Sequence, residues 1–164
     1  RSVKIAGDHL TEDIMEYVKE KHNLLIGERT AEELKVNTIS LKDKNTDFEI
    51  RGRELGKGLP KSIKIVASEI DGAIDKNIDL IIDEIKLTME GIEPEIAADI
   101  FETGIYISGG GAGIRILKEK IEEELKLQVT VCDEAIHAVV RGIAKVLDDF
   151  DSYKNIIISP TNEY

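Results

Sequence analysis

Gly104-Ile105-Tyr106-Ile107-Ser108-Gly109-Gly110-Gly111-Ala112-Gly113-Ile114 decides the architecture. A compact apolar strand over 104–108 runs straight into three glycines. Ile114, Leu117, Ile121 and Leu125 then recur at helical spacing, with Lys118, Glu119, Glu122 and Glu123 on the polar face. The unit reads strand, glycine turn, helix. Downstream, Gln128 to Val131 is another strand, and Ile136, Val139, Val140, Ile143 and Leu147 define a further helix before a polar tail containing Ile156-Ile157-Ile158. Strands alternating with helices predict an α/β layer architecture.

Upstream of the glycines, Pro94 sits where a first-turn proline is tolerated and opens a helix to about Phe101. Ile74, Ile78, Ile81, Ile82, Ile85 and Met89 share one face of the longest helix, ending near Gly91. Between Val36 and Val66 the pattern shifts to short alternating runs, Phe48-Glu49-Ile50 and Ile63-Lys64-Ile65, punctuated by Asn, Gly and Pro. Thr30-Ala31-Glu32-Glu33 has the form of a capping box and predicts a short helix through Leu34 and Lys35. Leu10, Ile14, Tyr17 and Val18 predict a first helix ending near His22-Asn23, after a Gly7-Asp8 turn and an opening strand at Val3-Lys4-Ile5-Ala6. The helices on either side of the strand-rich stretch read as one layer. The expected division is therefore a core of residues 1–26 and 73–164 with a small inserted subdomain at 27–72.

Bulk properties narrow the function. The 164 residues suffice for one domain or one lobe of a larger protein. With 41% hydrophobic residues, no tryptophan and 4% aromatics, the core must be built from Ile, Leu, Val and Ala. A net charge of -11 leaves no broad basic face for a phosphate backbone, which argues against nucleic acid as a partner. The same charge argues against simple electrostatic docking on anionic lipid, and no run approaches the ~18 apolar residues of a membrane span. Cys132 is the only cysteine, so an internal disulfide is excluded and a reducing cytoplasm fits. Arg1 opens without a methionine directly into a strand pattern, which predicts a piece of a longer chain.

Two places can carry chemistry. Gly109, Gly110 and Gly111 let backbone amides approach an anion, and the following helix points its positive end there. A tight turn that merely avoids a clash explains the same triplet equally well. The run is not a P-loop, because no Lys-Ser/Thr ending follows, nor a dinucleotide fingerprint, because Ile114 stands where a small residue belongs. The second place is the helix at Thr30. Thr30 and Glu33 are explained as caps, whereas Glu32 and Lys35 share one surface, where a carboxylate can accept ribose hydroxyls and an ammonium can lie near a base or phosphate. Alone, the pair reads as well as a solvated ion pair. Asp8 reads as an N-cap. His9, His22, His137 and Cys132 lack metal-ligand spacing or a neighbouring base and receive no role.

The order of motifs resembles the MreB/Mbl family of bacterial actins, the rod shape-determining proteins. Four blocks carry the likeness: Ala6-Gly7-Asp8 with its helix to Val18, Leu25-Ile26-Gly27-Glu28-Arg29-Thr30-Ala31-Glu32, Arg51-Gly52-Arg53-Glu54-Leu55 with Gly58-Leu59-Pro60-Lys61, and Gly104 to Gly142 through the triplet. The sequence departs from the family at Val36-Asn37-Thr38, where a glycine-containing stretch is usual, and at Ala135, where proline is expected.

The resemblance implies the second lobe, subdomains IIA and IIB, of a fold shared by actin-like and heat-shock-chaperone-like ATPases. Such a lobe is a mixed sheet flanked by helices with a small strand-containing insert. It implies ATP with Mg2+ in a cleft between two lobes. Nucleotide contacts would come from Ala31, Glu32, Glu33, Leu34 and Lys35 on the adenosine side and from Gly109, Gly110, Gly111 and Ala112 at the turn, with Glu32 and Lys35 preferred. No catalytic or metal-binding residue is assigned, because the family's other phosphate loops and magnesium-facing acids would lie upstream of Arg1. Self-association into protofilaments, cell-shape and wall-synthesis proteins as partners at the inner membrane, and a cytoplasmic, membrane-associated location are implied for the intact protein. The competing readings are a lobe of a chaperone or sugar kinase of the same superfamily, and a free-standing interaction module that uses no nucleotide.

Overall fold

A computed structural model describes residues 1–39, 41 and 43–155. Ile156-Ile157-Ile158 lies outside the described residues. Helix α1 (Gly7–His22) is followed by strand β1 (Leu24–Leu25) and helix α2 (Glu28–Ile39). Strands β2 (Asp47–Glu54) and β3 (Pro60–Val66) precede the long helix α3 (Ala67–Glu90) and helix α4 (Pro94–Thr103). Then come strand β4 (Ile105–Ile107), a 3-10 turn over Gly110–Gly113, helix α5 (Arg115–Leu125) and strand β5 (Val129–Val131). A second 3-10 turn at Ala135–His137 leads into α6 (Ala138–Asp148) and the short α7 (Phe150–Tyr153).

The strands show both pairing senses and fall into two sheets. β1, β2 and β3 form an antiparallel sheet in that order. Phe48 faces Ile65 and Ile50 faces Ile63 across β2 and β3, so one face is apolar while Arg51 and Lys64 point to solvent. β4 and β5 pair in parallel, with α5 as the crossover that parallel neighbours require.

One contiguous core joins α1, α2, α3, α5 and both sheets. Leu10, Ile14 and Val18 supply the stripe of α1, and Ile70, Ile74, Ile78 and Ile82 the stripe of α3. These meet Leu24, Ala31, Leu34, Ile50, Ile65, Ile116, Ile121 and Val129. Charged pairs bolt α3 to α5 at the rim: Arg115 to Asp71, and Lys120 to Asp75 and Asp79. At the N-terminus of α3, Glu69 Oε1 accepts the Val66 N–H at 3.1 Å. Its Oε2 lies 2.8 Å from His22 Nε2 and 3.2 Å from the Tyr17 hydroxyl that donates to it, which clasps the end of α1.

Several boundaries differ from the expectation. Val3-Lys4-Ile5-Ala6 is not a strand, because a strand exists by pairing and no described strand lies beside it. Gly7-Asp8 opens α1 rather than a turn, and Asp8 is not the cap: Ala6 is, with its N–H donating to His9 Nδ1 at 3.3 Å. Helix α2 starts at Glu28, and the Gly27 carbonyl accepts the Ala31 N–H, so Thr30 and Glu33 lie inside the helix and do not form a capping box. It also continues past Lys35, with the Thr38 hydroxyl bonding back to the Leu34 carbonyl at 2.8 Å. Helix α3 begins at Ala67, where Glu69 caps it, earlier than the apolar periodicity indicated. The other expected elements fall within a few residues of where the pattern placed them, whereas β1 and α7 were not expected from it.

Candidate nucleotide-binding cleft

The Lys35 ammonium is enclosed at the junction of α1 and α2. Its side chain is 8% exposed, and Nζ lies 2.8 Å from the Gly7 carbonyl, 2.9 Å from Thr11 Oγ1 and 2.5 Å from Glu32 Oε2. The approach is close: a Cβ on Gly7 would stand 3.2 Å from Nζ, tighter than an ordinary contact. The Thr11 hydroxyl lies 2.7 Å from Glu32 Oε2. Lys35 first, and then Thr11, hold the Glu32 carboxyl below the usual carboxylate range. A charge so enclosed is stable only because each of its donors is met.

Across from this knot, the end of β4 runs into the glycine turn. Gly109 has φ +85° and ψ 178°, a region that side chains avoid, so the turn itself requires that glycine. Gly110 and Gly111 are different. Their φ values are not in the positive region, and a Cβ built on either would meet nothing within 4 Å. Steric relief within the chain therefore does not explain them. Among the described residues no acceptor is recorded for the Gly110 and Gly111 N–H groups, whereas the Ala112 and Ile114 N–H groups bond to Gly109 and Gly111 carbonyls.

The two features share one cavity of about 580 Å³. Glu32 and Lys35 line it together with Gly110 and Gly111, and with the apolar Leu10, Ile78, Ile81 and Ile114. Such a volume suits a cofactor-sized ligand on a mostly apolar floor with a few polar groups. The other expected residues sit elsewhere. Ala31 and Leu34 are buried in the core at 0% and 3% exposure, and Glu33 faces solvent with Arg29 3.0 Å away. Ala112 is buried, and Gly109 lines a neighbouring groove of about 360 Å³ with Cys132 and His137. Thr11 was not singled out in the sequence, and Gly7 and Val36 were read there as motif positions and not as site residues. Thr11 left one signal, a polar residue on the apolar stripe of α1.

Among the described residues, no group of three or more His, Cys, Asp or Glu side chains gathers to hold a metal. Glu32, the carboxylate lining the cavity, is already engaged by Lys35 and Thr11. The residues present do not fit a magnesium site. No helix among them is long and apolar enough to cross a membrane.

The fold is that of an actin-like protein. It superimposes on MreB5 of Spiroplasma citri bound to ADP with a TM-score of 0.86 at 31% identity, covering 95% of this chain and 47% of that one. It also superimposes on a MamK double helical filament subunit with a TM-score of 0.73 at 20% identity, over 90% of this chain and 46% of that one. Within that class the chain belongs to the MreB/Mbl family, whose profile matches residues 1–155. The cell shape-determining protein Mbl of Bacillus cereus is 37% identical over 152 residues, 92% of this chain and 46% of the relative. The cell shape-determining protein MreB of Escherichia coli is 34% identical over 160 residues, 96% and 46%. The chain spans about half the length of the curated relatives it matches.

Proposed function

We propose that this chain is the second lobe of an ATP-binding, filament-forming bacterial actin that determines cell shape and organises wall synthesis. Residues 1–26 and 73–164 are its IIA-like core and 27–72 its IIB-like insert. The observation that carries the reading is the shared cavity: Glu32 and Lys35 on α2 and Gly110 and Gly111 on the turn face one space, although 75 residues separate Lys35 from Gly110 in the sequence. The glycine amides are placed for a phosphate or sugar oxygen and the α2 carboxylate for a ribose hydroxyl. Relatives of the same family crystallised with ADP and AMPPNP support an adenine nucleotide.

The chain binds and orients. The phosphate loops, the magnesium-facing acids and the acid that positions water belong to the other lobe, so hydrolysis is a property of the intact protein. Filaments of the intact protein lie in the cytoplasm against the inner membrane, where they meet cell-shape and wall-synthesis proteins. The MamK filament supports self-association of this fold into protofilaments.

With ATP and magnesium the full-length protein sediments as filaments; a monomer under every such condition contradicts the cytoskeletal reading. Gly110→Val is the direct test of the cavity. Because a Cβ at 110 would meet no protein atom within 4 Å, the variant is expected to keep its melting temperature. It loses ATP affinity at least about tenfold, as expected when a backbone contact to an anion is blocked. Unchanged affinity by calorimetry removes the turn from the site.

A further inference from the structure

Behind the polar corner of the cavity, bonded to both Glu32 and Lys35, stands a residue that the nucleotide reading leaves without a task. Thr11 is 3% exposed. Its Oγ1 accepts from Lys35 Nζ at 2.9 Å and lies within donating distance of two oxygens, Glu32 Oε2 at 2.7 Å and the Gly7 carbonyl at 3.0 Å. A hydroxyl has one proton to give. The Gly7 carbonyl already accepts Lys35 Nζ at 2.8 Å, and the carboxylate is both nearer and charged, so the proton goes to Glu32.

The donors and acceptors then assign themselves. An ammonium has three N–H groups, and Lys35 has three acceptors: Gly7 O, Thr11 Oγ1 and Glu32 Oε2. No donor remains for a ligand. Glu32 is the reverse case, because Oε2 takes both contacts while Oε1 has no partner among the described residues and the side chain is 49% exposed. The carboxylate is gripped by one oxygen and open at the other.

We propose that Thr11 is a positioning residue for the nucleoside end of the cleft: held by Lys35, its hydroxyl fixes Glu32 Oε2 so that Oε1 faces the cavity and accepts a sugar hydroxyl. The proposal rests on the cavity being the nucleotide site. Lys35 acts behind the carboxylate, as the anchor of the knot.

The test compares ATP, 2′-deoxy-ATP and 3′-deoxy-ATP binding to the full-length protein by calorimetry, in the unaltered protein and in Thr11→Val, Thr11→Ser and Glu32→Gln. The unaltered protein prefers ATP over at least one deoxy analogue by about tenfold, the worth of one charged hydrogen bond. Thr11→Val, nearly isosteric, brings that ratio close to one by weakening ATP and sparing the deoxy analogue. Thr11→Ser restores the preference. Combining Thr11→Val with Glu32→Gln discriminates no worse than Glu32→Gln alone, because both act on the same contact. The acid limb of ATP binding also moves to higher pH in Thr11→Val, since one of the groups holding Glu32 ionised is gone. A purely structural Thr11 weakens all three nucleotides alike, and that result overturns the proposal. So does a ratio that survives Thr11→Val and is abolished by Glu32→Gln, which leaves the nucleotide site standing. If Glu32→Gln and Gly110→Val both leave ATP affinity unchanged, the site and the proposal fall together.

Discussion

In α3, Ile70, Ile74, Ile78 and Ile82 are 0% to 3% exposed, whereas in α6, Val139, Val140, Ile143 and Leu147 keep helical spacing and remain 53% to 72% exposed. The stripes are chemically alike and differ in what faces them. α3 is covered by α1, α2 and α5, while α4, α6 and α7 bury no residue. Periodicity thus reveals which side of a helix is apolar and leaves open whether that side is covered. Helices α1, α2, α3 and α5 are held by packing in the core, whereas α4, α6 and α7 draw little from burial.

That contrast can be broken by substitution. Ile14→Ala in α1, fully buried, costs about 2–5 kcal/mol, and Ile143→Ala in α6 costs less than about 0.5 kcal/mol, measured by denaturant unfolding of this chain. Equal costs erase the distinction. Next is Arg115→Met, which cuts one of the ion pairs from α5 to α3 and strands the part-buried Asp71 carboxylate. Burial already pushes the Asp71 carboxyl above its ordinary value, with Arg115 opposing the shift. The variant loses about 1–3 kcal/mol at neutral pH, and Asp71→Asn added to it recovers part of the loss.

A smaller effect separates the clasp from the core. Burial alone would raise the Glu69 carboxyl, but the Val66 N–H and the His22 ring outweigh it and the net shift is downward. A lowered folded-state value means that the stabilisation is complete above the ordinary carboxylate value and lost as pH falls through the folded one. Glu69→Gln should therefore flatten the acid limb of the stability curve below roughly pH 4 and leave its alkaline side unchanged. The smallest effect is at the rim. Lys86→Gln breaks the 2.9 Å pair with Glu124, both well exposed, and leaves the midpoint unchanged.

How much was legible follows from the same physics. The strand, glycine turn and helix at 104–125 were readable because apolar spacing and glycine punctuation agree there. The convergence of Glu32 with Gly110 was not readable from spacing, since it depends on tertiary packing and came only with the family likeness. Thr30-Ala31-Glu32-Glu33 misled because the pattern fits a capping box while the Gly27 carbonyl already begins the helix. Val3 to Ala6 has the composition of a strand, yet pairing is a property of two segments. Thr11 gave only the faint sign of a hydroxyl in an apolar stripe; its partners lie 21 and 24 residues away.

Strand β1 reaches β2 through an unusually close approach. A Cβ on Gly52 would stand 2.3 Å from the Leu25 carbonyl oxygen and 2.9 Å from the Leu24 side chain. The seam between the hairpin and the helical layer is thus sewn main chain to main chain. Drift in the flanking side chains leaves such a seam intact. Position 52 has no such latitude: even one methyl there prises the first strand off the sheet, so a mutational scan should show an intolerant column at 52 between the permissive, exposed positions of Arg51 and Arg53.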